Sequence, residues 1–240
     1  GYKSLNNSTS GYNVAIGDYV LYTNTTGNKN VAIGNRASYS NTDGDSNVAI
    51  GYYPLHDNTS GYKNIAIGYE SMRENTTGDN NIGIGYRALK ESSTGNRNIG
   101  IGDDALKKVE SHYNTAIGHE TLDSVTTGQK NIALGFNSGG GLSTGTGCMF
   151  LGADTTTSNV NFNYSTAIGY GSQITASNQI ALGRSSEYVM IPGALTVGGN
   201  LTVNGTTTTV NSTNTKISDT LIELSSGLTG AANNDAGIII

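Results

Sequence analysis

The sequence predicts an all-β chain: a parallel β-roll or β-solenoid of ~17-residue coils, followed by an intertwined trimeric β-stem. Three observations carry this. The tetrapeptide Val14-Ala15-Ile16-Gly17, preceded by an asparagine, returns with its glycine at Gly17, Gly34, Gly51, Gly68, Gly85 and Gly102, each 17 residues after the last. It continues to Gly118, Gly135, Gly152, Gly169 and Gly183 through steps of 16, 17, 17, 17 and 14. A fixed short period over most of a chain is the mark of a stacked array. Composition agrees: 34 glycines and only 35% hydrophobic residues leave too little bulk for one compact core. After Gly183 the period changes to Leu195-Thr196-Val197 and Leu201-Thr202-Val203, six residues apart.

Each coil can be read from its closing glycine as position zero. Position −4 is asparagine in Asn13, Asn30, Asn47, Asn64, Asn81, Asn98, Asn114 and Asn131. Apolar residues at −3 and −1, separated by Ala or Gly at −2, have the two-residue period of a short strand. Ile33, Ile50, Ile67, Ile84 and Ile101 at −1 are expected to form the buried apolar column, and Asn30, Asn47, Asn64, Asn81 and Asn98 a hydrogen-bonded amide column. A second apolar point falls at +4 (Leu5, Leu21, Leu55, Met72, Leu89). Thr-Thr-Gly at Thr25–Gly27, Thr76–Gly78 and Thr126–Gly128 predicts a turn whose glycine supplies a positive φ. Glycines at both ends of each unit, with Asn, Ser and Thr between, exclude three helical turns. Two short strands and two bends per coil are expected, stacked at about 4.8 Å.

Such a thin coil buries few apolar side chains, so burial against other chains is expected. The small residues at −2 and 0 suit close backbone approach. The segments from Leu195 onward, punctuated by Gly198-Gly199 and Asn204-Gly205, cannot hide both strand faces within one chain. Three identical chains about one axis would cover one face and leave no free edge. The domain reading is a repeat solenoid over 1–183 and a trimeric stem over 184–240. The chain starts at position zero of a coil and ends on Ile238-Ile239-Ile240 without capping sequence, so it is read as a segment of a longer fibre.

The repeated Asn-x-Ala/Gly-Ile-Gly with Ala-Leu at +3 and +4, as in Asn81 to Leu89 and Asn98 to Leu106, resembles the repeat of long tail fibre proteins of tailed bacteriophages. The stretch Leu201 to Val210, with Ser218 to Leu224 and Asn234 to Ile238, is similar to the distal part of such fibres. The Ala-Ile-Gly repeat also resembles the heads of trimeric autotransporter adhesins, whose repeats are shorter. The first resemblance implies a non-enzymatic fibre shaft in the virion, extracellular, joined to other fibre or baseplate proteins. It implies contact with a host cell-surface glycan or protein through parts outside this segment. The second implies a bacterial cell-surface head that itself binds a host or matrix surface.

Little else in the sequence points to chemistry. His112 and His119, with Glu110 and Glu120, match no zinc spacing and read as solvated loop residues. Asp43-Gly44-Asp45-Ser46-Asn47 lacks the downstream bidentate Glu of a calcium loop. Asp103-Asp104 point to opposite faces of an extended chain, and Glu70 and Glu74 fall on a bend, so no carboxylate pair suggests glycoside hydrolysis. Cys148 stands at −4 in place of Asn and reads as a small buried residue. A recurrent Thr-Thr hints at an ice-binding array, but the pair precedes a turn and is broken at Asn41-Thr42-Asp43. The expectation is therefore no enzyme, no cofactor and no metal. A formal charge of −5 argues against nucleic-acid binding, and no apolar run suggests membrane insertion. A weak glycan contact is expected only at the aligned tyrosines Tyr52, Tyr69 and Tyr86.

Overall fold

The computed structural model describes residues 1–204, and the described residues contain strands and turns but no helix. The chain is a parallel β-solenoid. Each Asn-x-Ala/Gly-Ile/Leu-Gly motif forms one short strand: β1 (Val14–Ile16), β2 (Val31–Asn35), β3 (Val48–Tyr52), β4 (Ile65–Ile67), β5 (Ile82–Ile84), β6 (Ile99–Ile101), β7 (Thr115–Ile117) and β8 (Ile132–Leu134); the variant Cys148-Met149-Phe150-Leu151-Gly152 forms β9 (Met149–Leu151). Near the end the other side of the coil also pairs, as β10 (Thr156–Thr157) with β12 (Gln173–Ile174), while β11 (Thr166–Ile168) and β13 (Ile180–Leu182) extend the main sheet. That sheet has eleven strands, all parallel and in chain order save for β10 and β12. Its register is set by the repeat: Ile33 pairs with Ile50, Ile50 with Ile67, and Ile67 with Ile84. Ten steps of about 4.8 Å make the sheet roughly 50 Å long.

The expectation of two strands per coil is corrected: most coils have one, and turns supply the rest. Those turns are built from left-handed residues that are not glycine. Positions +2 (Tyr53, Glu70, Arg87), +4 (Leu55, Met72, Leu89) and +12 (Lys63, Asn80, Arg97) hold φ between 50° and 57°. A left-handed residue with a side chain costs about 1 kcal/mol or more. Each of these backbone N–H groups gains a partner in an adjacent coil. Glu70 N–H donates to Tyr52 O at 2.9 Å, Leu55 N–H to Ser71 O at 3.0 Å, and Lys63 N–H to Asp45 O at 2.9 Å. Stacking thus stabilises a backbone that a lone coil would not hold.

The glycines serve a different end from the one expected at +10. Gly27, Gly44, Gly61 and Gly78 do not have positive φ; the left-handed residue is the one at +12. At Gly27 glycine is needed for space: a Cβ there would lie 2.5 Å from both Asn24 Oδ1 and Gly44 O. At position zero the strain and the crowding coincide. Gly85 has φ of 134°, and a Cβ there would sit 2.5 Å from Gly102 O.

The inward apolar column is also corrected. Ile33, Ile50, Ile67, Ile84 and Ile101 at −1 are only half-buried, and Ile16, Ile117 and Leu134 are exposed. Ala32, Ala49, Ala66, Ala116 and Ala133 at −2 are the buried residues of the strands, packed on Leu21, Leu55, Met72, Leu89, Leu106 and Leu122 from +4. Where +4 carries a leucine or methionine, the coil is too narrow for anything larger at −2. A Cβ on Gly83 would lie 2.7 Å from Met72 Cγ, and one on Gly100 would lie 3.2 Å from Leu89 Cγ. The leucines fill the lumen from the opposite wall, so alternation turns the isoleucines outward.

Two compact units divide the chain, Gly1–Met190 and Ile191–Ile240. The last strand of the solenoid ends at Leu182. Within the expected stem, residues 184–204 form no strand, and Leu195, Val197, Leu201 and Val203 are exposed. The stem segments from Thr206 to Leu224 and from Asn234 to Ile238 lie outside the described residues.

Candidate functional surfaces

Two asparagine ladders hold the coils in register. At −4, each side chain bridges backbone groups of the next coil, so the expected amide-to-amide column is corrected to an amide-to-backbone one. Asn47 Oδ1 accepts the N–H of Asn64 at 2.9 Å, while Asn47 Nδ2 donates to Gly61 O at 2.8 Å. Asn64, Asn81 and Asn98 repeat this, and Asn30 does so with Asn47 N–H at 2.8 Å and Gly44 O at 2.9 Å. All five are buried, and the bonds account for both ends of each amide. The true amide column stands at +7. Asn41 Nδ2 donates to Asn24 Oδ1 at 2.7 Å, Asn58 to Asn41 at 2.8 Å and Asn75 to Asn58 at 2.8 Å. Its signal, Asn24, Asn41, Asn58 and Asn75 at 17-residue spacing, was present in the sequence. Beyond Asn75 the position passes to Ser92, then to the buried Val109, Val125 and Leu142, so the column is polar in one half and apolar in the other.

Cys148 replaces one rung of the −4 ladder. Its N–H still donates to Asn131 Oδ1 at 2.9 Å, and its Sγ lies 3.2 Å from Phe162 O, where an asparagine amide would reach. Burial pushes this thiol above its ordinary pKa.

Outside, the alternation along the eleven strands of the main sheet creates an apolar face, interrupted at −3 by Thr115 and Thr166. Positions −3 and −1 form two parallel columns, Val31-Val48-Ile65-Ile82-Ile99 and Ile33-Ile50-Ile67-Ile84-Ile101. Toward the later coils Ile132, Leu134, Met149 and Leu151 are each 40% exposed or more, which no charged residue at these positions relieves. An apolar stripe that repeats coil after coil along one face differs from hydrophobic residues scattered singly over a surface.

Tyr52, Tyr69 and Tyr86 stand at +1 as expected, but as a stacked ladder. Ring centroids are 5.2 Å apart in both steps, with planes within 9° and 15°. Arg87 lies 4.8 Å from the Tyr86 ring centre. Faces engaged in stacking are not free for a sugar ring, so Tyr69, with a ring on either side, presents its edge. Beside them, Glu70 is nearly buried among three cations: Arg73 Nη1 at 3.0 Å, Lys90 Nζ at 3.0 Å and Arg87 Nε at 3.5 Å. Desolvation alone would raise the Glu70 pKa, but the Lys90 hydrogen bond and the three positive charges outweigh it and hold the carboxyl below its usual value.

The histidines are drawn into structure. His112 Nδ1 accepts the Asn96 N–H at 3.0 Å, and His119 stacks on Phe136 at 5.3 Å. Glu110 repairs the shortened coil. Elsewhere the N–H groups at +8 and +9 donate to the +8 carbonyl of the next coil, as Thr76 and Thr77 do to Ser93 O. Here the Glu110 carboxylate accepts the N–H groups of Ser93 and Thr94 at 3.1 Å instead. Asp104 pairs with Lys107 at 3.5 Å, and Asp103 receives the Tyr86 N–H at 3.4 Å. Among the described residues no three His, Cys, Asp or Glu side chains converge as metal ligands. No known protein family, curated protein or solved structure matches this chain.

Proposed function

We propose that this chain is a non-enzymatic structural segment of a fibre, a parallel homotrimeric shaft. The observation that carries the reading is the apolar sheet face. Its two columns repeat once per coil, so whatever covers them must present complementary apolar groups at the same axial rise. A second copy of the same solenoid meets that condition for every coil at once. Two columns per face suit a three-fold arrangement, in which the −3 column meets one neighbour and the −1 column the other. Leu195, Val197, Leu201 and Val203, exposed in the single chain, have the same need for a partner.

The resemblance of the Asn-x-Ala/Gly-Ile-Gly repeat to long tail fibres of tailed bacteriophages gives the setting. The shaft would be an extracellular virion part, joined to other fibre or baseplate proteins and supporting host-cell attachment through segments other than this one. Sedimentation equilibrium of the intact chain at micromolar concentration tests the assembly. The expected species has three times the 24.8 kDa mass of the chain, and a folded 24.8 kDa monomer overturns it. Two substitutions separate the faces. Ile67→Asp places a charge in the proposed interface and should yield monomers with an intact β-sheet circular dichroism spectrum. Ala66→Asp places it in the closed lumen and should unfold the coil, at a cost of several kcal/mol.

A further inference from the structure

A corner of the solenoid outside the sheet carries a groove that neither the shaft reading nor the tyrosine ladder uses. Positions +11 and +12, reached one residue earlier in the 16-residue coil after Gly102, form two neighbouring rows there: Tyr62, Asp79, Asn96 and His112 in one, Lys63, Asn80, Arg97 and Tyr113 in the other. Along these rows the side chains change from large to small and back. Tyr62 at one end and Tyr113 with Arg97 at the other enclose a depression of about 280 Å³ lined by Asp79, Asn80, Asn96 and His112. Tyr62 also borders a second groove of about 230 Å³, lined by Asp43, Asp45, Ser46, Ser60 and Lys63. The tyrosine is thus a ridge shared by two grooves that follow one another along the rod.

Several observations make this more than a gap in a ladder. Tyr62 and Tyr113 are 42% and 46% exposed, and among the described residues neither has a parallel aromatic ring stacked on it, unlike Tyr52, Tyr69 and Tyr86; each has a cation over one side instead, Lys63 Nζ 5.5 Å from the Tyr62 ring centre and Arg97 Cζ 5.4 Å from that of Tyr113. The Tyr113 ring is held in place by Arg97, whose Nη1 donates to the hydroxyl at 2.7 Å. The floor between the tyrosines is polar and already ordered. Asp79 Oδ1 takes the Tyr62 N–H at 2.9 Å, Asn96 Oδ1 the Asp79 N–H at 2.7 Å, and His112 Nδ1 the Asn96 N–H at 3.0 Å. Each of these acceptors is fixed by the coil before it, so a ligand would meet them at little ordering cost.

We propose that this paired groove binds a linear, uncharged glycan lying along the rod, with Tyr62 and Tyr113 as its stacking surfaces. A pyranose ring has apolar faces and a rim of hydroxyls, which suits rings at the two ends and a floor of amide, carboxylate and imidazole groups between. An apolar ligand would find no greasy floor. The carboxylates of Asp43, Asp45 and Asp79 offset the cations of Lys63 and Arg97, so the grooves favour no strongly charged chain. The four steps from Asp45 to His112 span roughly 20 Å at about 4.8 Å each, room for several sugar units. The site belongs to a single chain, so it stands apart from the trimer.

The test uses the intact chain, titrated by calorimetry and by ligand-observed NMR with chitohexaose, cellohexaose and an oligogalacturonate hexamer. Binding of at least one neutral hexamer is expected. Tyr62→Ala and Tyr113→Ala should each weaken it about five- to tenfold, in the range of a lost aromatic contact, with unchanged circular dichroism. Tyr69→Ala, in the stacked ladder, should leave it as it was. The proposal is overturned if neither neutral hexamer binds up to millimolar concentration, if the oligogalacturonate binds better than both, or if Tyr62→Ala and Tyr113→Ala bind as well as the parent.

Discussion

Phe150 and Gly139 exchange volume within one coil. Phe150 occupies −2, where every other coil has Ala or Gly, and Gly139 occupies +4, where the two preceding coils carry Leu106 and Leu122. A Cβ on Gly139 would press on Leu122 Cδ2 of the preceding coil and lie 3.2 Å from Phe150 Cδ2, so the ring fills from the strand side part of the space that a leucine fills from the turn side. Phe150 is completely buried. The lumen has a fixed cross-section, and the two walls share it.

That relation predicts compensation. Phe150→Ala alone should cost about 3–5 kcal/mol through the cavity left behind. Gly139→Leu alone should cost about 1–3 kcal/mol by overpacking. The double variant, which restores the Ala and Leu pattern of the other coils, should be markedly more stable than the sum of the two losses. Denaturant titrations of the four proteins measure the coupling, and simple additivity would refute the shared lumen.

The asparagine column at +7 predicts an all-or-none pattern. Asn58→Ala removes the acceptor that Asn75 Nδ2 uses and the donor that Asn41 Oδ1 receives, all in a buried column. A loss of about 1–3 kcal/mol is expected. Replacing Asn24, Asn41, Asn58 and Asn75 together by Val should cost far less than four times that amount, because the column already continues as Val109 and Val125. Melting temperatures of the single and fourfold variants decide it.

Glu70 predicts a defined acid sensitivity. Its folded-state pKa is lowered, so below the ordinary carboxylate range the unfolded chain binds a proton that the folded chain does not yet bind. The stability it contributes is present above the unfolded value and is lost as pH falls through the folded one. Glu70→Gln should flatten that part of the profile and, by leaving Arg73, Arg87 and Lys90 without their shared counter-charge, lower stability at neutral pH by about 1–3 kcal/mol. Thermal melts across the acid range, with and without the substitution, check both effects.

Of the surfaces, the +1 tyrosine row and both asparagine columns were legible as fixed spacings, since any residue repeated every 17 positions must stack in register. What each row touches was not. Neither Tyr62 nor Tyr113 recurs in the coil before or after it, so the groove between them breaks the repeat and leaves no periodic signal. Glu70 was legible only as a carboxylate on a bend; its three cations come from the same coil and the next, at +2 and +5.

The sequence by itself determined the stacked array, the parallel order of the strands and their register, because 17-residue identity forces each motif onto the next. It also determined that Val, Ile and Leu at −3 and −1 share one face and Ala or Gly at −2 the other. Which face is inside was decided only by the tertiary structure. Hydrophobicity alone points the isoleucines inward, but the lumen is already filled by the leucines at +4, and there a Cβ on Gly83 would lie 2.7 Å from Met72. The same closeness of coils places glycine at +10 for space, while side chains at +12 take the left-handed turn because a neighbouring coil accepts their N–H.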